Sequence, residues 1–197
     1  MLRPQYPFYM IRHGETDWNR EGRFQGQTDI PLNFKGRQQA AYNGRKLKGI
    51  IDDPSDWKFV ASPMGRTRNT MEIARLQMEL EPKEYETDDR LIEITFGKWE
   101  KSTLKELAAK NQFDIERRDL NKWNFTPPDG ESYASGAARA EPFFAELSSP
   151  TIIVTHGGII RAVRHLVEGL NGNEAANMPT PQDKIYHYDG ETGGWLV

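Results

Sequence analysis

Short apolar runs of the kind that form buried strands alternate along this chain with segments that read as helices. Phe8-Tyr9-Met10-Ile11 is the first run, Phe59-Val60-Ala61 the second, and Thr151-Ile152-Ile153-Val154-Thr155 the clearest. None carries a charge, as expected of strands covered on both faces. An alternating β-then-α order is satisfied by a mostly parallel sheet with helices on each side, so the expected fold is a three-layer α/β/α arrangement. Asn33 suits the N-cap of a helix running to about residue 49. Ser62 followed by Pro63 reads as a cap with proline at the first helical position, opening a helix to about residue 80. Further helices are expected from Ser132 to about 147, and from His156-Gly157-Gly158 to near Gly169. Residues 85–91 read as a weaker third strand, and 184–188 with 195–197 as a terminal hairpin around Gly193-Gly194. Residues 97–131 read as an irregular insertion with one helix over 103–110.

Composition narrows the class of molecule. With 197 residues and 37% apolar content, the chain can sustain one core without covalent staples. A single domain spanning 1–197 is expected, with the insertion as its one elaboration. The net charge of −3 gives no global field that would draw the protein to nucleic acid or an anionic membrane. No run has the apolar length of a membrane span, and the N-terminus lacks the apolar core of a signal peptide. The absence of cysteine excludes disulfides, cysteine-ligated metals and a thiol nucleophile. A cytoplasmic location is the simplest expectation.

Two segments share one design. Ile11-Arg12-His13-Gly14 ends the first strand and Val154-Thr155-His156-Gly157 ends the clearest later one. Each places a histidine beyond the carboxyl end of a strand, where ligands bind in open α/β sheets, and follows it with a glycine that lets backbone approach an anion. Arg66 falls in the first turns of its helix, where a cation opposes the helix dipole. It reads either as a solvated surface arginine or as a planar fork for phosphate. Glu93, in Leu91-Ile92-Glu93-Ile94, either faces solvent or faces the same pocket, where partial burial would help a carboxyl hold a proton for donation. His165 reads as a surface or core residue and His187 as part of a strand face. Four histidines without close ligand spacing give no expectation of a metal site.

Arg12-His13-Gly14-Glu15-Thr16-Asp17-Trp18-Asn19 resembles the signature of the histidine phosphatase, or phosphoglycerate mutase-like, superfamily. Arg23-Phe24-Gln25-Gly26 with Asp29 and Leu32 is similar to the loop that follows that signature. Ser62-Pro63-Met64-Gly65-Arg66 resembles the family's SPxxR element, and Leu91-Ile92-Glu93 with Phe96-Gly97-Lys98-Trp99-Glu100 its LxExxFGxWE element. Pro127–Ser132 and Thr155–Gly158 resemble the two remaining motifs, so the likeness runs through the chain in order. It implies His13 as a nucleophile that becomes phosphorylated. Arg12, Arg66 and His156 would grip the phosphoryl oxygens, assisted by Asn19 and the Gly157 amide, and Glu93 would protonate the leaving oxygen. Arg23, Gln25 and Gly26 would contact substrate. Such chemistry needs positioning and positive charge, with no cofactor and no metal where arginine and histidine supply it. Two positions depart from the family pattern, Lys101 and Asp129, each standing where relatives have glycine.

The resemblance implies a metal-independent phosphatase acting on a small phosphoester. A mutase that returns the phosphoryl group to a bound sugar acid is the alternative. Mutases of the family resemble LNERHYG at the Glu93 element, and here Ile94 and Phe96 take the places of its arginine and tyrosine, although Arg117-Arg118 is similar to a mutase arginine pair. A non-catalytic phospho-ligand module would need neither His13 nor Glu93. A protein-phosphohistidine phosphatase fits less well with the long insertion. Trp99, Trp123, Phe125 and Tyr133 read either as an aromatic lid over the substrate or as a small satellite core.

Overall fold

The computed structural model describes residues 1–196. A six-stranded sheet has the order β3-β2-β4-β1-β5-β6. Its strands are β1 (Phe8–Arg12), β2 (Lys58–Ala61), β3 (Glu86–Thr87), β4 (Thr151–Thr155), β5 (Ile185–Tyr188) and β6 (Gly193–Trp195). β1, β2, β3 and β4 run parallel, and β5 and β6 close one edge antiparallel. All five residues of β4 are buried, as its uncharged sequence requires at the centre of a sheet covered on both sides.

The alternation of side chains along each strand divides the core in two. Phe8, Met10 and Ile153 face one layer, which contains α6 (Tyr133–Ala145) and α7 (Gly157–Glu168). Ile11, Ile152 and Val154 face the other, packed by Leu47 of α2 (Phe34–Ile50) and Met71 of α3 (Gly65–Gln77). Asn33 caps α2 through the Gly36 amide, as expected.

Several local expectations are corrected. Ser62 does not cap α3. The N-cap is Met64, which has no side-chain acceptor, and the Asp29 carboxylate takes over by accepting the Gly65 amide at 2.6 Å and the Arg66 amide at 3.3 Å. A carboxylate at this helix N-terminus also offsets the unfavourable placement of Arg66 there. The strand expected over 85–91 is only Glu86–Thr87, because Asp88 accepts the Arg90 amide and turns the chain into a 3-10 helix. Gly193 and Gly194 lie in β6, and the reversal is made instead by Asp189, whose carboxylate accepts the Glu191 and Thr192 amides. Val197, expected in that hairpin, lies outside the described residues.

The insertion holds two helices where one was expected. α4 (Leu104–Lys110) starts from a Thr103–Glu106 capping box, and α5 (Gln112–Leu120) follows at once with Asn111 as its cap. α1 (Asp17–Glu21) and α8 (Gly172–Asn177) complete the structure, and among the described residues no helix is long and apolar enough to cross a membrane.

Candidate active site

The two histidine motifs meet because β1 and β4 are parallel neighbours. Arg12 pairs with Thr155, and the His13 amide donates to the Thr155 carbonyl at 2.9 Å. His13 and His156 therefore leave adjacent strand ends in the same direction, with ring centroids 5.2 Å apart. Both are buried, at 2% and 0% exposure.

The proton positions follow from hydrogen-bond chemistry. His13 Nδ1 lies 2.8 Å from the Gly14 carbonyl oxygen, which can only accept. Nδ1 therefore carries the hydrogen and Nε2 keeps its lone pair. Burial, then the Arg66 and Arg12 charges, hold His13 well below the usual imidazole pKa, so the ring is neutral and nucleophilic. His156 is depressed by burial and by Arg66, His13 and Arg12 in turn. Its Nε2 bonds the Ser62 hydroxyl at 2.8 Å, and its buried Nδ1 has no partner among the described residues. When Ser62 donates, Nδ1 is left as a donor.

Arg66 is the largest fully buried side chain and is held from three sides. One terminal nitrogen donates to the Thr28 carbonyl at 2.9 Å and to Asp29 at 3.3 Å, and the other to the Gly26 carbonyl at 2.7 Å. Among the described residues its buried Nε has no partner, and neither has that of Arg12, whose Nη1 donates to the Thr180 carbonyl at 2.9 Å. Burial lowers Arg12 to about 10, helped by Arg161 and opposed by Glu93, so it remains a cation at neutral pH. Glu93 faces the pocket. Its two oxygens accept the Ile94 amide at 3.0 Å and the Gly158 amide at 3.1 Å. A Cβ on residue 158 would collide with that carboxylate, so glycine is required for the close approach.

Arg12, His13, Arg66 and Glu93 line a cavity of about 300 Å³ together with Asn19, Arg23, Gln25, Gly26 and Gly157, and His156 sits against His13 outside that lining. The Asn19 oxygen accepts from the Thr16 amide and from Gln182, which leaves its NH2 as the group free to donate. Gln25 is buried with an unpartnered oxygen. Gly26 adopts φ +53°, where a side chain would also run into Glu100, and it serves the site through its carbonyl on Arg66. Arg23 stands at the mouth, committed to Glu21 at 2.8 Å and Glu106 at 2.8 Å.

The insertion aromatics divide. Trp99 joins Leu107 and Ile115 in a satellite core with Phe125 packed against it, whereas Trp123 packs on the main core and against Tyr133. Of the four, only Tyr133 lines the cavity, beside Phe24 and Phe96.

The sequence reading missed three supports. Ser62 orients His156. Thr180 holds Arg12. Gln182 donates to the His13 carbonyl at 3.0 Å and to Asn19 at 3.1 Å. Thr180 and Gln182 sit in a loop with no chemical pattern of its own, and Ser62 was misread because a cap explained it too readily. A larger cavity of about 640 Å³ lies by Trp57, Phe59, Arg75 and Tyr85. Its arginine is already bonded to the Glu81 carbonyl at 2.8 Å and stacked on Phe59, and its lining residues include no histidine. Among the described residues no group of three or more histidine, aspartate or glutamate side chains could hold a metal ion.

Comparison with known proteins identifies the family. The family model of the histidine phosphatase superfamily (branch 1) matches residues 8–197. A probable phosphoglycerate mutase of Erwinia tasmaniensis is 32% identical over 96% of this chain and 87% of its own. The mycobacterial glucosyl-3-phosphoglycerate phosphatase in complex with VO3 superposes with a TM-score of 0.81 at 25% identity, over 97% of both chains. A putative alpha-ribazole-5'-P phosphatase of Escherichia coli shares the fold at 22% identity, with a TM-score of 0.79 over 98% of this chain and 95% of that one. The chain belongs to the histidine phosphatase superfamily, branch 1.

Proposed function

We propose that this protein is a phosphohydrolase that acts on a small phosphomonoester without a metal ion, through a phosphohistidine at His13. The observation that carries the reading is the tautomer of His13. Its ring lines the cavity with Nε2 keeping its lone pair, and Arg12 Nε, Arg66 Nε and the Nδ1 of the neighbouring His156 are buried donors without partners among the described residues. Three such donors suit the three equatorial oxygens of a phosphoryl group in transfer. In the first half-reaction the Nε2 pair forms the N–P bond, the ester O–P bond breaks, and the leaving oxygen takes a proton from Glu93. In the second, water attacks phosphorus, the N–P bond breaks, and the water proton returns to the Glu93 carboxylate. Asn19 and the Gly157 amide donate to the same oxygens, and Arg23 and Gln25 border the organic part of the ester.

A second reading, phosphoryl return to another hydroxyl of a bound sugar acid, is favoured by the name of the Erwinia relative. Against it, Ile94 is buried in the main core and Phe96 offers no donor, so neither can hold such an acid by hydrogen bonds. Product analysis separates the two, because hydrolysis gives free phosphate and return gives an isomerised ester.

Glu93→Gln tests the mechanism. A general acid contributes about 10²–10⁴-fold when the leaving group needs a proton, so the variant loses that factor on an alkyl phosphate. On p-nitrophenyl phosphate, whose phenolate leaves unaided, the loss is much smaller. Equal losses on both esters would remove Glu93 from proton transfer. Activity should also survive exhaustive chelation, and a loss that added Mg²⁺ restores would contradict the metal-independent reading.

A further inference from the structure

The cavity carries more positive charge than a phosphoryl group needs. Beyond Arg12 and Arg66, its wall presents Arg118, Lys122 and Arg161, and Glu93 is the one carboxylate among its lining residues. Arg118 is paired with Asp119 at 2.6 Å. Lys122 and Arg161 have no carboxylate partner among the described residues. Lys122 donates to the Asn177 side-chain oxygen at 3.1 Å and lies over the Tyr133 ring, and Arg161 donates to the Met178 carbonyl at 2.7 Å.

These cations repel one another. Arg161 depresses Arg12, and burial followed by the Arg118 and Arg161 charges pulls Lys122 down to about 8, which Asp119 only partly opposes. Arg161 lines the same cavity as Arg12, Arg118 and Lys122, and its charge acts on both Arg12 and Lys122. Uncompensated like charges in a partly buried wall are costly unless an anion completes them. The phosphoryl group answers Arg12 and Arg66 and leaves the outer group unanswered.

We propose that Lys122 and Arg161, with Arg118 behind them, form a second anion subsite, and that the natural ester carries a carboxylate or a second phosphate on its organic part. The proposal rests on the phosphohydrolase reading for the word ester, but the subsite itself is a matter of binding.

The test is calorimetric binding to His13→Ala, which cannot turn over. The probes are glycerol 1-phosphate, 3-phosphoglycerate and propane-1,3-diol bisphosphate, which share a phosphate and differ in the second charge. At least one doubly acidic ester binds about tenfold or more tighter than glycerol 1-phosphate, and which one identifies the second anion. Adding Lys122→Met or Arg161→Met removes most of that preference, and Lys122→Arg retains it. Equal binding of all three esters, or a preference that survives both methionine variants, overturns the subsite. Hydrolysis by the unaltered protein is scored separately on the same esters and on p-nitrophenyl phosphate. Failure there defeats the phosphohydrolase reading while the binding result still judges the subsite.

Discussion

The floor of the cavity and its outer wall are built on different principles. The floor consists of side chains leaving strand ends and a helix start, and each is pinned by backbone groups: His13 by Gly14, Arg66 by Gly26 and Thr28, Glu93 by Ile94 and Gly158. The wall draws Leu104 from α4, Arg118 from α5, Lys122 from the turn after α5 and Arg161 from α7, and α4 and α5 rest on the small core of Trp99, Leu107 and Ile115. α5 leaves Phe113 65% and Leu120 82% exposed, against 1% for Arg66 of the floor. A transition state tolerates little misplacement, so the part that performs the reaction is over-determined.

The sharpest way to break this contrast is to remove one charge from each region. Arg66→Met deletes the buried Nε and releases the Gly26, Thr28 and Asp29 contacts. Phosphoryl transfer should fall by about 10³-fold on every ester, the scale of losing a preorganised donor. Arg118→Ala in the wall should change kcat/KM by about tenfold or less, unequally between esters. Comparable losses from both, measured on the same panel, would erase the distinction.

Ser62 probes the floor more gently. Ser62→Ala frees His156 Nε2 and lets the ring choose the other tautomer, so kcat should drop roughly ten- to a hundredfold with KM little changed. Ser62→Thr should restore most of the loss. A purely structural role would lower the melting temperature without this split.

Legibility in the sequence follows the same division. His13, His156, Arg12, Arg66 and Glu93 were readable because strand ends, glycines and motif spacing constrain them locally, and the parallel register then brings the two histidines together. The layered sheet was readable because Thr151–Thr155 has no polar face to show to water. Asp29 capping α3 was not, because the cap comes from a loop 36 residues earlier and leaves no local pattern. α5 was obscured because its apolar face is little more than Ile115. The roles of Lys122 and Arg161 depend on a cavity between α5 and α7, which no spacing along the chain reveals.

Acid should expose the floor. His13 and His156 are held well below 6.5 when folded and return toward that value when unfolded, so below about pH 6.5 the unfolded chain binds more protons. Their contribution is complete above that pH and is lost as the pH falls through it. The melting temperature should decline from pH 7 to 5, and less steeply in a His13→Asn variant. An unchanged slope would mean that the ring carries no such penalty.

The smallest effect belongs to the insertion. Lys101 and Asp129, which replace family glycines, both adopt left-handed backbone, at φ +73° and +59°. A non-glycine residue there costs about 1–2 kcal/mol, and glycine loses about 0.5–1 kcal/mol through unfolded-state freedom. Lys101→Gly should therefore stabilise by about 0.5–1 kcal/mol without changing activity on p-nitrophenyl phosphate, whereas Asp129→Gly should be close to neutral, since aspartate tolerates this region. Destabilisation by Lys101→Gly in thermal unfolding would contradict the strain.

The proposed mechanism turns on a bond from phosphorus to His13 Nε2 that forms and breaks in each turnover. Rapid quenching during turnover of a phosphorus-labelled ester, followed by peptide mapping, tests it directly. The account predicts label on His13 in an acid-labile, base-stable bond, formed and lost at rates competent for turnover and absent from His13→Ala. Label on any other residue, or continued turnover with none on His13, would contradict it.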